Sequence, residues 1–378
     1  MNLSEIRQDI DKTDEELCRL FTHRMALAKS AAACETDEAP ALALRRRDRE
    51  ILARLCPEGE LSRYTHRFFS SIFEISSAYQ GSLSPKTSKV REQIEAALKA
   101  DAGVFPEGGI IACQGVEGAY SQMTADAMFP RGNILFFKTF EAVFDAVKSG
   151  LCQFGILPIE NSSNGSVREV YDLLRQKDVS IVKSKRTHIR HELLAKPGTS
   201  ISDISEIHSH EQAIGQCSEF LKTLPPHVKI IGCENTATAA EMAAKSSVSG
   251  VASISSHSCG KLYGLQTISS DIQNNDNNYT RFICIQKNPT LYPGADRISL
   301  ILALPHHPGS LYETLAKFSA LGINLIKLES CPIISHDFEF MFFFELQANA
   351  ADPAVLSMLE HLEEDCESFI FLGNYSEG

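Results

Sequence analysis

Apolar positions near the start of the chain recur at helical spacing. Across residues 4–35, Ile6, Ile10, Leu17, Leu20, Phe21, Leu27, Ala28 and Ala31 fill one side of a continuous helix. At ~1.5 Å per residue that helix is roughly 50 Å long. A small domain cannot cover this length alone, so a partner helix is expected. Pro40 interrupts the pattern, which resumes over 42–55 and stops at Pro57-Glu58-Gly59. A third helix is predicted over 62–79, with Phe68, Phe69, Ile72 and Phe73 as its apolar face. The stretch Gly81-Ser82-Leu83-Ser84-Pro85 reads as a linker, followed by a charged helical segment over 90–100.

The period then changes. Short apolar runs at 110–113, 135–137, 154–157, 179–182, 228–231, 251–254 and 282–285 predict strands. Amphipathic stretches at 139–149, 167–176, 211–224 and 236–245 predict helices between them. This alternation predicts an α/β sheet. Beyond it the order is strand 297–304, helix 309–320, strands 324–330 and 339–347, helix 353–363 and strand 368–372. That βαββαβ order is ferredoxin-like. The chain is therefore expected to be multidomain: all-α at the N-terminus, α/β in the middle, α+β at the C-terminus.

Composition narrows the function classes. A length of 378 residues suggests two or three domains, and 43% hydrophobic with 22% charged residues fits packed globular structure. No apolar run approaches the roughly 20 residues that span a bilayer. The start, Met1-Asn2-Leu3-Ser4-Glu5, lacks a signal-peptide pattern, so a cytoplasmic location and no membrane partner are expected. A net charge of -12 argues against nucleic-acid binding, yet leaves room for an anionic small substrate in a locally positive pocket. The 11 cysteines form no CxxC pair, which suits free thiols in a reducing compartment. His188 and His191 have metal-like spacing without a supporting ligand set, so neither metal nor cofactor is expected.

The candidate chemistry begins at Asn277-Asn278-Tyr279-Thr280-Arg281-Phe282, a polar turn breaking into an apolar run. Such junctions gather active sites in open α/β sheets. Further stretches occur in order: Gly115-Val116-Glu117-Gly118-Ala119-Tyr120-Ser121, Pro158-Ile159-Glu160-Asn161-Ser162, Ser209-His210, Gln216-Cys217, Asn235-Thr236-Ala237-Thr238, and Leu262-Tyr263-Gly264-Leu265. Together they resemble the signature of prephenate dehydratases, with Val116 and Ala119 where that family usually has Pro and Thr. The resemblance implies a two-lobed, periplasmic-binding-protein-like domain that removes CO2 and a hydroxyl from prephenate without a cofactor. It implies Thr280, Asn161, Ser209, Gln216 and Glu160 as catalytic residues, with Thr280 as donor to the leaving hydroxyl, or as a group that orients it and relays a proton from Glu160, His210 or water. It also implies Arg281, His210, Thr236, Thr238, Gly118 and Ser121 as substrate-binding. These residue types suit that chemistry. An arginine binds carboxylates, helix N-termini offer N–H groups to anions, and neutral polar groups do not repel them. Read singly, each stretch is ordinary turn, cap or surface chemistry.

Residues 1–80 resemble the helical chorismate mutase that often precedes this dehydratase. Arg7, Arg24, Arg47 and Gln80 stand at family binding positions, with Asp48 where a glutamate is usual. Arg7 and Arg24 are 17 residues apart, which at about 100° per residue puts them on different faces. The family takes the first arginine from a partner subunit, which implies at least a homodimer. Glu35 stands where the family has a lysine beside the breaking ether bond, and Leu44 where it has an acid. A carboxylate beside an anionic substrate opposes catalysis, so the mutase fold is expected with weak or absent activity on chorismate.

Residues 297–373 resemble ACT domains, the phenylalanine sensors of this family. Gly309, Ser310, Leu311, Glu329 and Ser330 stand at the effector motifs, with Cys331 replacing an arginine. The expected boundaries are 1–85 for the mutase-like domain, 86–107 for a linker, 108–288 for the dehydratase and 296–376 for the ACT domain. Two rival readings stand beside prephenate dehydratase: arogenate dehydratase, and a non-catalytic ligand sensor.

Overall fold

The computed structural model describes residues 2–34, 47, 50–55, 59–83, 88–99, 103–307, 309–332 and 340–378. They form two compact units: Met1–Glu95 with Ile298–Phe371, and Ala96–Arg297 with Leu372–Gly378.

The second of these units contains two sheets. Its strands are β1 (Gly108–Gln114), β2 (Arg131–Phe137), β3 (Phe154–Asn161), β4 (Gly165–Ser166), β5 (Ser180–His188), β6 (Glu192–Ala195), β7 (Glu206–His210), β8 (Lys229–Cys233), β9 (Val251–Ser255), β10 (Gln266–Ser269) and β11 (Tyr279–Gln286). One sheet runs β5-β11-β3-β1-β2, with β4 paired to β3; the other runs β10-β6-β9-β7-β8. In the first, β1 lies parallel to β2 and β3, while β11 is antiparallel to both β3 and β5. The central strands are apolar on both faces, as helix-covered strands must be: Ile111, Ile156, Leu157 and Ile283 are fully buried. The helix Phe140–Lys148 covers them with Val143, Phe144, Ala146 and Val147, and Thr139 caps its start by accepting from the Ala142 N–H. The helix Thr236–Lys245 serves the second sheet with four buried alanines, Ala237, Ala239, Ala240 and Ala243.

The chain passes between the sheets twice, from β5 to β6 and from β10 to β11. The strand pattern misses β4, β6, β7 and β10. In β7, Glu-Ile-His-Ser-His, only Ile207 is apolar, so no run marks it. The helix expected over 211–224 is two helices, Glu211–Gln216 and Ser218–Lys222, broken at Cys217.

The other unit is built on the helices Leu3–Cys34, Ser62–Leu83 and Lys89–Lys99 and on the βαββαβ order expected from sequence. The strands of that order are β12 (Arg297–Ala303), β13 (Asn324–Pro332), β14 (Phe340–Gln347) and β15 (Ser368–Glu377), which belongs to this unit as far as Phe371; they run β13-β14-β12-β15. Ser62–Leu83 runs on through Gly81-Ser82-Leu83, which were expected to be linker. A single Gly costs a helix only about 1 kcal/mol, which does not by itself end it. The charged segment is a packed helix: Val90 and Ile94 join Leu300, Phe318, Phe344 and Leu359 in one core. Arg91 forks onto the buried Glu360 carboxylate, Nε to Oε1 at 2.6 Å and Nη2 to Oε2 at 2.7 Å. Much of the helix predicted over 42–55 lies outside the described residues; 50–55 are helical.

The long first helix has two faces. Arg24 and Met25 meet the helix Ser62–Leu83 at Ser76. Leu3, Ile6, Ile10, Leu17, Leu20 and Leu27 remain 41–64% exposed, at spacings of three, four and seven. That is the heptad spacing of a coiled-coil seam.

Candidate active site

Register across two neighbouring strands assembles the centre of the site. In the β11–β3 pairing Thr280 lies opposite Asn161 and Arg281 opposite Glu160, just before a bulge at Arg281/Phe282. On its other side β11 sets Thr280 against Thr187 of β5. Thr280 and Arg281 therefore belong to a strand, where the sequence suggested a turn. Arg281 is only 4% exposed, and its Nε lies 2.6 Å from Glu160 Oε1. Its Nε side thus forms a cross-strand ion pair.

Polar side chains then connect in one direction. Asn161 Oδ1 accepts the backbone N–H groups of Ser163 and Asn164, at 2.9 and 3.0 Å. Those two bonds fix which end of the carboxamide is oxygen. Asn161 Nδ2 must donate, and it reaches Thr280 Oγ1 at 2.9 Å and Asn278 Oδ1 at 3.0 Å. Asn278 Nδ2 in turn donates to Gln216 Oε1 at 3.1 Å. His191 Nε2 lies 2.9 Å from that same Gln216 oxygen. Among the described residues the Thr280 hydroxyl has no protein acceptor, so its proton is available to a ligand. A hydroxyl that accepts from an amide is polarised toward donation.

The other expected residues divide. Ser209 is fully buried and donates to the Ile254 carbonyl at 2.8 Å, a bond that ties β7 to β9. His210 caps Glu211–Gln216, its Nδ1 accepting from the Gln212 N–H at 3.3 Å. Ser121 donates to the Gln114 carbonyl at 2.7 Å. The helix Thr236–Lys245 carries Thr236 and Thr238 in its first turn, where Asn235 accepts from the Thr238 N–H at 2.7 Å.

Gly118 lies where two helix N-termini come together, those of Tyr120–Met128 and Thr236–Lys245. Its φ is +90°, and a Cβ there would sit 2.8 Å from Cys259 Sγ and 3.8 Å from Ala237 Cβ. Only glycine allows this approach. Cys259 Sγ and the Tyr263 hydroxyl donate to the Gly118 and Glu117 carbonyls, both at 3.2 Å, and hold the loop down. Ala119 gives the Tyr120 helix no side-chain cap, which leaves its first turn open to an anion.

Three participants escaped the sequence reading. Asn278 stands within the signature but had no assigned role, and His191 was weighed only as a metal ligand. Tyr120 packs edge-on to His191, ring centroids 6.4 Å apart, and donates to the Arg190 carbonyl. Burial holds the Tyr120 hydroxyl above its ordinary range, against the opposing pull of that bond. Burial lowers the His191 imidazole below its ordinary value, opposed by its bond to Gln216. His188 and His191 turn to separate partners, Asp276 and Gln216, at 2.8 and 2.9 Å. The Cys217 thiol is pushed up to about 12 by burial, which keeps it protonated and excludes it as a nucleophile.

In the helical unit, Arg24 donates to Ser76 and to the Ile72 carbonyl and lies over the Phe73 ring at 5.2 Å. Gln80 donates to the Ala28 carbonyl at 3.0 Å. Arg7 and Arg47 are exposed; Glu35, Leu44 and Asp48 lie outside the described residues. In the terminal module Gly309 caps its helix at φ +97°, ahead of Ser310 and Leu311. Glu329 pairs with Lys327 at 3.3 Å, and Ser330 is exposed.

Comparison with known proteins finds matches to the middle and to the N-terminal part of the chain. The family Prephenate dehydratase matches residues 111–290, and Chorismate mutase type II matches residues 6–81. The arogenate dehydratase/prephenate dehydratase 2 of Arabidopsis thaliana is 35% identical over 277 residues, 70% of this chain and 72% of its own. The bifunctional chorismate mutase/prephenate dehydratase of Aquifex aeolicus is 28% identical across 99% of this chain and 97% of its own. Among solved structures, the prephenate dehydratase of Arthrobacter aurescens in complex with L-Phe superposes with a TM-score of 0.65 at 26% identity, covering 71% of this chain and 89% of that one. The chain belongs to the prephenate dehydratase family, in the form that carries a chorismate mutase domain ahead of the dehydratase.

Proposed function

We propose that the chain converts prephenate to phenylpyruvate, CO2 and water. The observation that carries this reading is the Thr280 hydroxyl, which accepts from Asn161 and keeps its own proton for a ligand. In the reaction the bond to the ring carboxylate breaks and its electron pair enters the ring. The ring C–O bond breaks as the hydroxyl departs, and that hydroxyl needs one proton to leave as water. Thr280 supplies the hydrogen bond and the proton, then recovers a proton from solvent. Aromatisation provides the driving force, so the protein contributes orientation and charge placement. The open first turn of the Tyr120 helix and the Gln216 carboxamide offer neutral donors to the carboxylates.

Proton assistance of this kind contributes roughly 10²–10⁴-fold in rate. Thr280→Ala is expected to lose turnover on that scale with a smaller change in KM. Near-normal turnover in that variant removes Thr280 from the mechanism. Arogenate differs only by an amino group on the side chain, and parallel assays on both substrates separate the two dehydratase readings. A non-catalytic sensor would bind either without product.

Around this activity we place three further roles. The N-terminal helices form a mutase fold whose turnover of chorismate is weak, because Glu35 replaces the cation expected at the breaking ether bond. Chorismate consumption by the full chain at an ordinary enzymatic rate would contradict this. The exposed heptad stripe of the first helix is covered by a second copy of the chain, giving a homodimer or a larger homo-oligomer. The terminal module senses phenylalanine, in keeping with the L-Phe complex of the Arthrobacter relative. Dehydratase rates with and without millimolar phenylalanine test that role. A cytoplasmic location fits these roles; among the described residues no helix is long and apolar enough to cross a membrane.

A further inference from the structure

The hydrogen-bond chain has an end that the reaction does not explain. Gln216 Oε1 receives two bonds, one from Asn278 Nδ2 at 3.1 Å and one from His191 Nε2 at 2.9 Å. The direction of the first is set from far away. The backbone N–H groups of Ser163 and Asn164 fix Asn161, Asn161 fixes Asn278, and Asn278 fixes the Gln216 oxygen. An oxygen at that point requires a proton on His191 Nε2. Neutral imidazole carries one ring proton, so Nδ1 is bare. His191 is 2% exposed, and among the described residues Nδ1 has no hydrogen-bond partner. A second proton there would be buried without an acceptor.

From this we infer that His191 is a positioning residue for the dehydration, held as the neutral Nε2–H tautomer so that the Gln216 NH2 group stays turned toward the ligand. The inference rests on the dehydratase reading of the site. Three features support it. The Gln216 backbone is pinned separately, its carbonyl accepting from the Asn274 N–H at 2.7 Å, so only the side chain is left to orient. The His191 backbone is pinned as well, its N–H donating to Gln273 Oε1 at 3.0 Å. His191 and Asn278 also lie on the two different segments that join the sheets, and Gln216 on a helix of the second sheet. The orientation of one carboxamide thereby depends on both connections.

The test uses the full chain and prephenate. His191→Gln keeps an N–H donor near the same place, whereas His191→Leu removes it with similar bulk. Loss of orientation at a binding group costs about 10–100-fold in kcat/KM. That loss is expected for His191→Leu, with His191→Gln restoring most of the rate. Adding His191→Leu to Gln216→Ala should cost nothing further. Equal rates for wild type and His191→Leu, equal losses in both His191 variants, or losses that multiply with Gln216→Ala would each overturn the inference. The tautomer is checked separately in the wild-type protein by nitrogen-edited NMR of the imidazoles. A proton on Nδ1 of His191 would overturn it whatever the kinetics and however the variants fold. A wild-type protein inert toward prephenate refutes the dehydratase reading itself, and leaves the tautomer result to stand alone.

Discussion

At the scale of single residues, the direction of hydrogen bonds matters more than the set of groups present. Asn161 accepts two backbone N–H groups with its oxygen, so its nitrogen must serve Thr280. Asn161→Asp keeps the acceptor and removes the donor. The Thr280 proton then turns to the new carboxylate, and turnover is expected to fall about as far as in Thr280→Ala, roughly 10²–10⁴-fold. The two substitutions together should cost little more than either alone, which steady-state kinetics on the double variant checks. Glu160 has a different duty. It pairs with Arg281, which is 4% exposed, so Glu160→Gln removes the charge that faces a buried guanidinium. Breaking a buried pair costs about 3–5 kcal/mol, and Glu160 is partly exposed, so a loss near 3 kcal/mol in urea unfolding is expected. His191 adds a pH dependence. Burial lowers its folded-state value below the ordinary 6.5, so the unfolded chain binds the extra proton first. Stability is therefore complete above 6.5 and declines as pH falls below it, and His191→Gln should flatten that acid limb.

At the scale of elements, the sequence showed what local pattern encodes and missed what distant pairing creates. The helix Thr236–Lys245 was legible residue by residue, because Asn235 is a good cap and the alanines fall on one face. The strand β7 was not, because its burial comes from the sheet around it. Thr280 and Asn161 were legible as signature residues. Their contact was not, since it depends on the register between β3 and β11, 119 residues apart in the chain. His191 had no local signal at all: its partner Gln216 lies on a different element. Two element-level outcomes are expected. Gly118→Ala forces a side chain to 2.8 Å from Cys259 Sγ at φ +90°. It should lower both dehydratase activity and the melting temperature, which a thermal scan reads directly. Ile94→Ala empties a fully buried position in the Lys89–Lys99 helix and should cost about 2–5 kcal/mol. Urea unfolding of that variant tests whether the segment is a structural part of the terminal module's core.

At the scale of the whole molecule, a polar centre built across two strands shares the chain with a long helix that has an exposed apolar stripe. The first helix keeps Arg24 in its packing and presents an apolar heptad stripe to its surroundings. Leu17→Glu with Leu20→Glu places charges in that stripe, and light scattering is expected to show the proposed oligomer reduced to monomer. An unchanged mass would contradict the proposal that this stripe joins two copies. The most direct test of the central claim is turnover of prephenate by the full chain with Thr280→Val beside Thr280→Ser. Valine keeps the shape of threonine and lacks the hydroxyl; serine keeps the hydroxyl. Phenylpyruvate from wild type and Thr280→Ser, with Thr280→Val slower by roughly 100-fold or more, is the expected result. Equal rates in all three, or no phenylpyruvate from the wild-type protein, would contradict it.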